Sequence, residues 1–154
     1  MKQDELLYLL ALLRIKGVGS VVAKNLIAFC GTPKGVFAKP KGWLRRVPEV
    51  GDKLAKAISS GDTLQLAEDE LKFCEKHNIE ILTYTAPDYP ERLKTIYDAP
   101  LALFKKGNLD LNSRPAIAIV GTRKMTPYGK REAQRFAEYF AAHQINVVSG
   151  LALG

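Results

Sequence analysis

Ala116-Ile117-Ala118-Ile119-Val120-Gly121-Thr122-Arg123-Lys124-Met125-Thr126-Pro127-Tyr128-Gly129 carries an unbroken apolar run straight into a glycine turn. Five apolar residues without alternation read as a buried strand of the parallel-sheet kind. A long helix follows to about His143, and Ile145-Asn146-Val147-Val148 reads as a second strand that ends in Ser149-Gly150. Strand, glycine turn, helix, strand is a βαβ unit, and its crossover is expected to be right-handed. Upstream, an amphipathic helix is predicted over 64–77, with Leu64, Ala67, Leu71 and Cys74 at helical spacing. An alternating strand covers 79–84. Pro87, Pro90 and Pro100 then punctuate a loop-rich stretch, a short strand covers 101–104, and 108–115 is turn-like.

The first 62 residues are helical throughout. The run Leu6-Leu7-Tyr8-Leu9-Leu10-Ala11-Leu12-Leu13 is a buried helix, with Asp4 as its expected N-cap. It does not fit a secretory signal, because Asp4 and Glu5 precede it and Arg14 and Lys16 stand where a small-residue cleavage site belongs. It is also too short to span a bilayer. The helix breaks at Ile15-Lys16-Gly17-Val18-Gly19-Ser20, and a second helix ends at Gly31. Val36-Phe37 leads into a loop with Pro40 and Gly42, and a short helix is expected over 43–47. After Pro48-Glu49-Val50-Gly51, Asp52 is expected to cap a helix that stops at Gly61. Helix, glycine hairpin, helix thus occurs twice, roughly 30 residues apart, as an internal duplication.

Charge divides the 154 residues differently. Eleven Lys/Arg against five Asp/Glu give residues 1–62 a net charge of +6; six against nine give 63–112 a charge of −3; six against two give 113–154 a charge of +4. A total of +7 in a chain that is 47% hydrophobic and 25% charged describes a folded protein with a basic surface suited to nucleic acid. The two cysteines, Cys30 and Cys74, have no metal-ligand spacing and are expected to be buried, reduced thiols of a cytoplasmic protein.

Two loops carry candidate chemistry. In the first hairpin, Gly17 and Gly19 allow a tight turn whose N–H groups, with Lys16 and Lys24, would cradle a phosphate. Glycines that only permit close helix packing fit the same pattern. The second copy has one glycine fewer and suits packing. At the βαβ junction, backbone N–H groups, Thr122, Arg123, Lys124, Thr126 and the ring of Tyr128 gather beyond the carboxyl end of a strand, where doubly wound sheets bind ligands. Neither G-x-G-x-x-G nor G-x-x-x-x-G-K-[ST] is present, so no nucleotide cofactor and no metal is expected. His77 and His143 fall at helix ends and Asp98 in a turn, and no nucleophile and base assemble around them.

At these residues the sequence resembles the DNA processing protein A (DprA/Smf) family. The lead-in Tyr89-Pro90, Leu93, Ile96, Asp98, Pro100, Leu103 and Gly107 fits that family, as do the motif at 121–129 and the run from Ser149-Gly150 to Gly154. The resemblance implies a small all-α tandem helix-hairpin-helix (SAM-like) domain over 1–62, followed over 63–154 by an incomplete Rossmann-like α/β domain. It implies a single-stranded-DNA-binding protein, not an enzyme, that acts in natural transformation by protecting DNA and loading RecA recombinase. A homodimer at full length and no membrane association also follow. Carried over by position, it nominates Gly121, Thr122, Arg123, Thr126, Tyr128, Gly129, Ser149 and Gly150. Leu153 departs from the pattern at a position that is frequently basic, and the family continues where this chain ends at Gly154. A shortened chain of this kind is expected to leave an open sheet edge and to self-associate. The alternative is a nucleoside monophosphate phosphoribohydrolase-like enzyme on a related fold, although its P-G-G-x-G-T motif is absent from this chain.

Overall fold

The computed structural model describes residues 3–112 and 115–151. The fold mixes helices with small sheets, arranged in two compact units, Met1–Leu109 and Asp110–Gly154. The first unit is organised around α1 (Gln3–Arg14), whose apolar run is continuous because the helix is buried on two sides. Leu9 and Leu12 enter one core with Leu26, Val36, Leu44, Val47 and Ile58. Leu10 and Ala11 enter a second, smaller core with Ala67. The helix starts at Gln3, so Asp4 lies in its first turn rather than capping it. There Asp4 pairs with Lys34 Nζ at 3.1 Å, while Glu5 accepts the Lys34 backbone N–H.

Helices α2 (Ser20–Cys30), α3 (Pro33–Ala38), α4 (Lys41–Leu44) and α5 (Asp52–Ser60) follow. The duplication is visible atom by atom at an offset of 32 residues. Leu12, Ile15, Val18, Ala23 and Leu26 are buried in the first copy, and Leu44, Val47, Val50, Ala55 and Ile58 in the second. The Val18 N–H donates to Ile15 O at 2.9 Å, and the Val50 N–H donates to Val47 O at 3.1 Å. Gly19 (φ −86°, ψ −179°) and Gly51 (φ −83°, ψ 178°) are the N-caps of α2 and α5, and neither start has a side-chain cap. Asp52 is therefore the first residue of α5 rather than its cap, because the Gly51 carbonyl already accepts the Ala55 N–H; the Asp52 carboxylate pairs with Arg45 instead. The copies share a left-handed backbone position but fill it differently. Gly17 holds φ +95° where its counterpart Glu49 holds φ 67°.

Helix α3 occupies Val36 and Phe37, which the sequence suggested lead into a loop. Its start is built from Thr32-Pro33-Lys34-Gly35: the Thr32 hydroxyl accepts the Gly35 N–H at 3.0 Å, and Pro33 takes the first helical position, where its missing N–H costs nothing. The short helix expected over 43–47 begins earlier, at Lys41, after Pro40.

Helix α6 (Thr63–Lys76) packs along α1 through Ala67, with Leu64 and Leu71 alongside, and the Arg14 guanidinium reaches both oxygens of Glu70. Strands β1 (Glu80–Thr83) and β2 (Ala102–Lys105) pair antiparallel, from Glu80 with Lys105 to Thr83 with Ala102. The one-turn helix α7 (Glu91–Lys94) lies between them. Tyr89 closes this excursion. It is fully buried, its hydroxyl donates to the Pro100 carbonyl at 2.7 Å, and its ring meets Tyr84 edge-on at 5.5 Å. Burial pushes the Tyr89 phenol pKa up.

The second unit is β3 (Ala116–Ala118), α8 (Pro127–Ala142) and β4 (Asn146–Val148). The strands pair in parallel, Ala116 with Asn146 through Ala118 with Val148. The expectation of a buried strand is corrected here. All three residues of β3 are exposed, and Val120 is 87% exposed. A parallel strand becomes buried when neighbours and helices cover both faces; among the described residues β3 has one neighbouring strand, β4, and the unit holds one helix, which packs on β4. None of the described residues of this unit is buried. Of the two thiols, Cys74 is buried and Cys30 only half-buried.

Two expectations follow from this fold. A non-glycine residue held in the left-handed region costs about 1–2 kcal/mol. Glu49→Gly relieves that cost and adds unfolded-state entropy of about 0.4–1 kcal/mol, so urea unfolding should show a small net stabilisation. Gly17→Ala should destabilise the protein in the same measurement. Hydrogen exchange on the 154-residue chain should show the amides of α8 exchanging on the order of 100-fold faster than the central amides of α1, because local stability follows buried contacts.

Candidate nucleic-acid interface

The junction loop at 121–126 is built from its ends inward. Helix α8 starts as α3 does, on Thr126-Pro127-Tyr128-Gly129. The Thr126 hydroxyl accepts the Gly129 N–H at 3.0 Å, and Pro127 occupies the first turn. A Cβ on Gly129 would lie 3.3 Å from Thr126 Oγ1, so the small residue keeps this cap tight. Inside the loop, the Thr122 hydroxyl donates to the Lys124 carbonyl at 2.9 Å. Both hydroxyls thus shape the backbone. What the loop turns outward is charge: Arg123 and Lys124 are exposed, and neither forms an ion pair among the described residues. Tyr128, 64% exposed on the first turn of α8, offers a free ring face.

The parallel register brings in the second loop. Pairing of Ala118 with Val148 continues through the Ile119 N–H, which donates to Val148 O at 2.9 Å. Ser149 and Gly150 therefore leave the sheet at the same carboxyl end as Gly121. The Ser149 hydroxyl accepts the Leu151 N–H at 3.3 Å. A Cβ at Gly121 or at Gly150 would meet nothing within 4 Å, so the space beside both loops is open. Leu153 lies outside the described residues.

Helix α8 contributes two more exposed cations, Lys130 and Arg131, one turn beyond the loop. Neither was singled out from the sequence. The available signal was their position directly after Gly129, next to a helix start that has no acid in its first turn. With Arg123 and Lys124 they make a cationic helix N-terminus, the arrangement that favours phosphate.

The nominated residues of the first unit separate. Lys16 and Gly17 lie in the exposed turn before α2, with Gly19 at its N-cap. Lys24 does not face solvent as a spare cation. Its ammonium sits 4.8 Å from the centre of the Tyr84 ring and donates to the Tyr97 carbonyl at 3.1 Å, tying α2 to the segment between β1 and β2. The lead-in residues are likewise structural: Tyr89 and Pro100 form the closing hydrogen bond, and Leu103 pairs with Leu82 across the sheet. His77 and His143 cap α6 and α8, their rings tilted against Phe73 and Tyr139 with ring centres 4.2 Å apart in each case. Burial raises the pKa of both thiols, leaving Cys30 and Cys74 poor nucleophiles.

Residues 80–154, which contain both loops, match the family described as DNA recombination-mediator protein A. The whole chain is 32% identical, over 162 aligned residues, to Protein Smf of Synechocystis and covers 40% of that protein. It is 42% identical over 66 residues to DNA processing protein DprA of Streptococcus pneumoniae, an alignment of 43% of this chain and 23% of that protein. Against DprA of Bacillus subtilis the identity is 39% over 80 residues, 51% of this chain and 27% of the relative. The chain belongs to the DprA/Smf family. It spans about two-fifths of the length of the Synechocystis relative and less of the other two. Among the described residues, no helix is long and apolar enough to cross a membrane.

The position of Lys24 has a measurable consequence. Lys24→Ala removes a cation–π contact and a hydrogen bond, together worth about 1–2 kcal/mol. Urea denaturation should report that loss. Affinity for an oligothymidine should stay within about twofold of the parent, because this ammonium is directed at Tyr84 and Tyr97.

Proposed function

We propose that this chain is a single-stranded-DNA-binding part of a recombination mediator, with the strand held at the loops 121–124 and 149–150 and the start of α8. The observation that carries the proposal is the parallel pairing of β3 with β4, which sets both loops at the carboxyl end of the sheet, with four exposed cations in the first loop and the start of α8. Backbone N–H groups and cations engage phosphates without reading sequence, and Tyr128 supplies a surface on which a base can stack. In this reading the second unit is the start of a Rossmann-like domain, whose ligands lie beyond the carboxyl ends of its strands. The whole protein would protect incoming strands in natural transformation, load RecA recombinase, act as a homodimer in the cytoplasm and carry out no catalysis.

The two copies in the first unit are read as a tandem helix-hairpin-helix, SAM-like domain. The first copy is the one suited to phosphate. Gly19 has extended backbone that any residue adopts and open space beside it, so a side chain there is excluded by neither fold nor packing. Its absence leaves the first N–H groups of α2 accessible, with Lys16 alongside. The second copy presents Glu49 where the first has Gly17, and a carboxylate at that point repels phosphate.

Fluorescence anisotropy with labelled oligothymidine tests the main site. Binding should weaken with salt, and each lost phosphate contact should lower the slope of log K against log salt by about 0.7. Arg123→Ala should lower affinity about five- to tenfold, with a shallower salt slope. An Arg123→Ala protein that binds like the parent overturns this site. A full effect from Lys16→Ala with none from Arg123→Ala would move the site to the first hairpin.

A further inference from the structure

One concave surface of the first unit has the opposite character from the basic loops. Helix α1, helix α6 and strand β1 border a groove of about 540 Å³. Leu6, Leu7, Leu71, Ile79 and Ile81 line it, and each is only half-buried. Among the described residues, its polar margin carries Asp4, Glu68 and Glu75 against one cation, Lys72. Asp4 is paired with Lys34, whereas Glu68 and Glu75 form no ion pair among the described residues. On a chain of net charge +7, this groove lies mainly in the block of residues whose net charge is −3.

We propose that this groove is a docking site for an amphipathic helix of a partner protein that carries Lys or Arg on the flanks of its apolar stripe. An apolar floor with a polar margin is the form of a helix-binding groove. The α6 wall runs from Glu68 to Glu75, about 10 Å at the α-helical rise, which accommodates apolar anchors at i, i+3 or i+4, and i+7. The acidic margin selects the charge of the flanks and disfavours the phosphates of nucleic acid. The groove therefore belongs to a second activity, assembly with protein, separate from the cationic loops and independent of the strand-binding proposal.

The test uses the ¹⁵N-labelled 154-residue chain and two synthetic helical peptides with identical leucine anchors, one flanked by lysines and the other by glutamates. The lysine-flanked peptide should shift the amides of the first turns of α1, of 68–75 and of 79–81, and the glutamate-flanked peptide should not. The double variant Glu68→Lys/Glu75→Lys changes only the margin and should weaken the lysine-flanked peptide about tenfold while leaving the remaining spectrum in place. Leu71→Gln should weaken it as well, with the retained spectrum separating loss of docking from loss of fold. Equal binding of both peptides, shifts elsewhere, or no shifts at all overturn the proposal. It is also overturned if oligothymidine moves the groove amides, which makes the surface a nucleic-acid face, or if dilution alone moves them, which makes it a contact between copies.

Discussion

Everything in the first unit depends on α1 being buried along two faces at once. A helix with one apolar stripe rests on one layer; α1 separates two cores and belongs to both. Leu9 and Leu12 close the duplicated helices into one body, and Leu10 and Ala11 fasten α6 to that body. Removing a side chain such as Leu12, which is fully buried, costs about 2–5 kcal/mol in a well-packed core. The groove proposed for a partner helix follows from the same constraint. Leu6 and Leu7 sit at the start of α1, where α6 and β1 cover it incompletely, so the apolar run extends past the cover available to it.

The fold is economical in the junctions it uses. Two helices start on Thr-Pro-x-Gly, with the threonine hydroxyl capping the glycine N–H. Two helices end on histidine followed by a left-handed residue, Asn78 (φ 52°) after α6 and Gln144 (φ 58°) after α8. In both, the next residue is isoleucine, and its N–H returns to the helix: Ile79 to Cys74 O at 2.8 Å and Ile145 to Phe140 O at 2.9 Å. This is the closure by which a helix end satisfies its last carbonyls and aims the chain into a strand. The same local chemistry thus delivers β1 in the first unit and β4 in the second.

These particulars explain what was legible in the sequence. The duplication could be read because its buried positions repeat with the glycines, and α6 could be read because Ala67, Leu71 and Cys74 hold one stripe. Helix α3 was hidden by Pro33, which looks like a breaker until Thr32 is recognised as the cap that makes it a first residue. The burial of β3 was misjudged for a different reason. An apolar run reports what a strand is fitted to pack against, whereas exposure depends on which neighbours are present. Lys24 shows the corresponding limit for sites. A lysine beside a glycine hairpin suits a phosphate, but the ring that takes its charge, Tyr84, lies sixty residues further along the chain, and the carbonyl that takes its hydrogen bond, Tyr97, lies further still.

The family motifs divide by physical role once side-chain contacts are followed. Tyr89, Pro100 and Leu103 spend their chemistry inside the fold, in a buried hydroxyl bond and a cross-strand pair. Thr122, Thr126 and Gly129 spend theirs on the backbone of the junction loop. That leaves Arg123, Lys124 and Tyr128 with no partner of comparable quality within the described residues. In the proposed strand-binding role, a loop braced by two side-chain hydrogen bonds that holds two cations into solvent would already have met much of the conformational cost of ordering itself, so a bound phosphate would need to supply little of it. Under that proposed role, preorganisation of this kind accounts for the bracing residues and the charged residues occurring in one short motif: each charge would act in the geometry that the neighbouring hydroxyls and glycine impose.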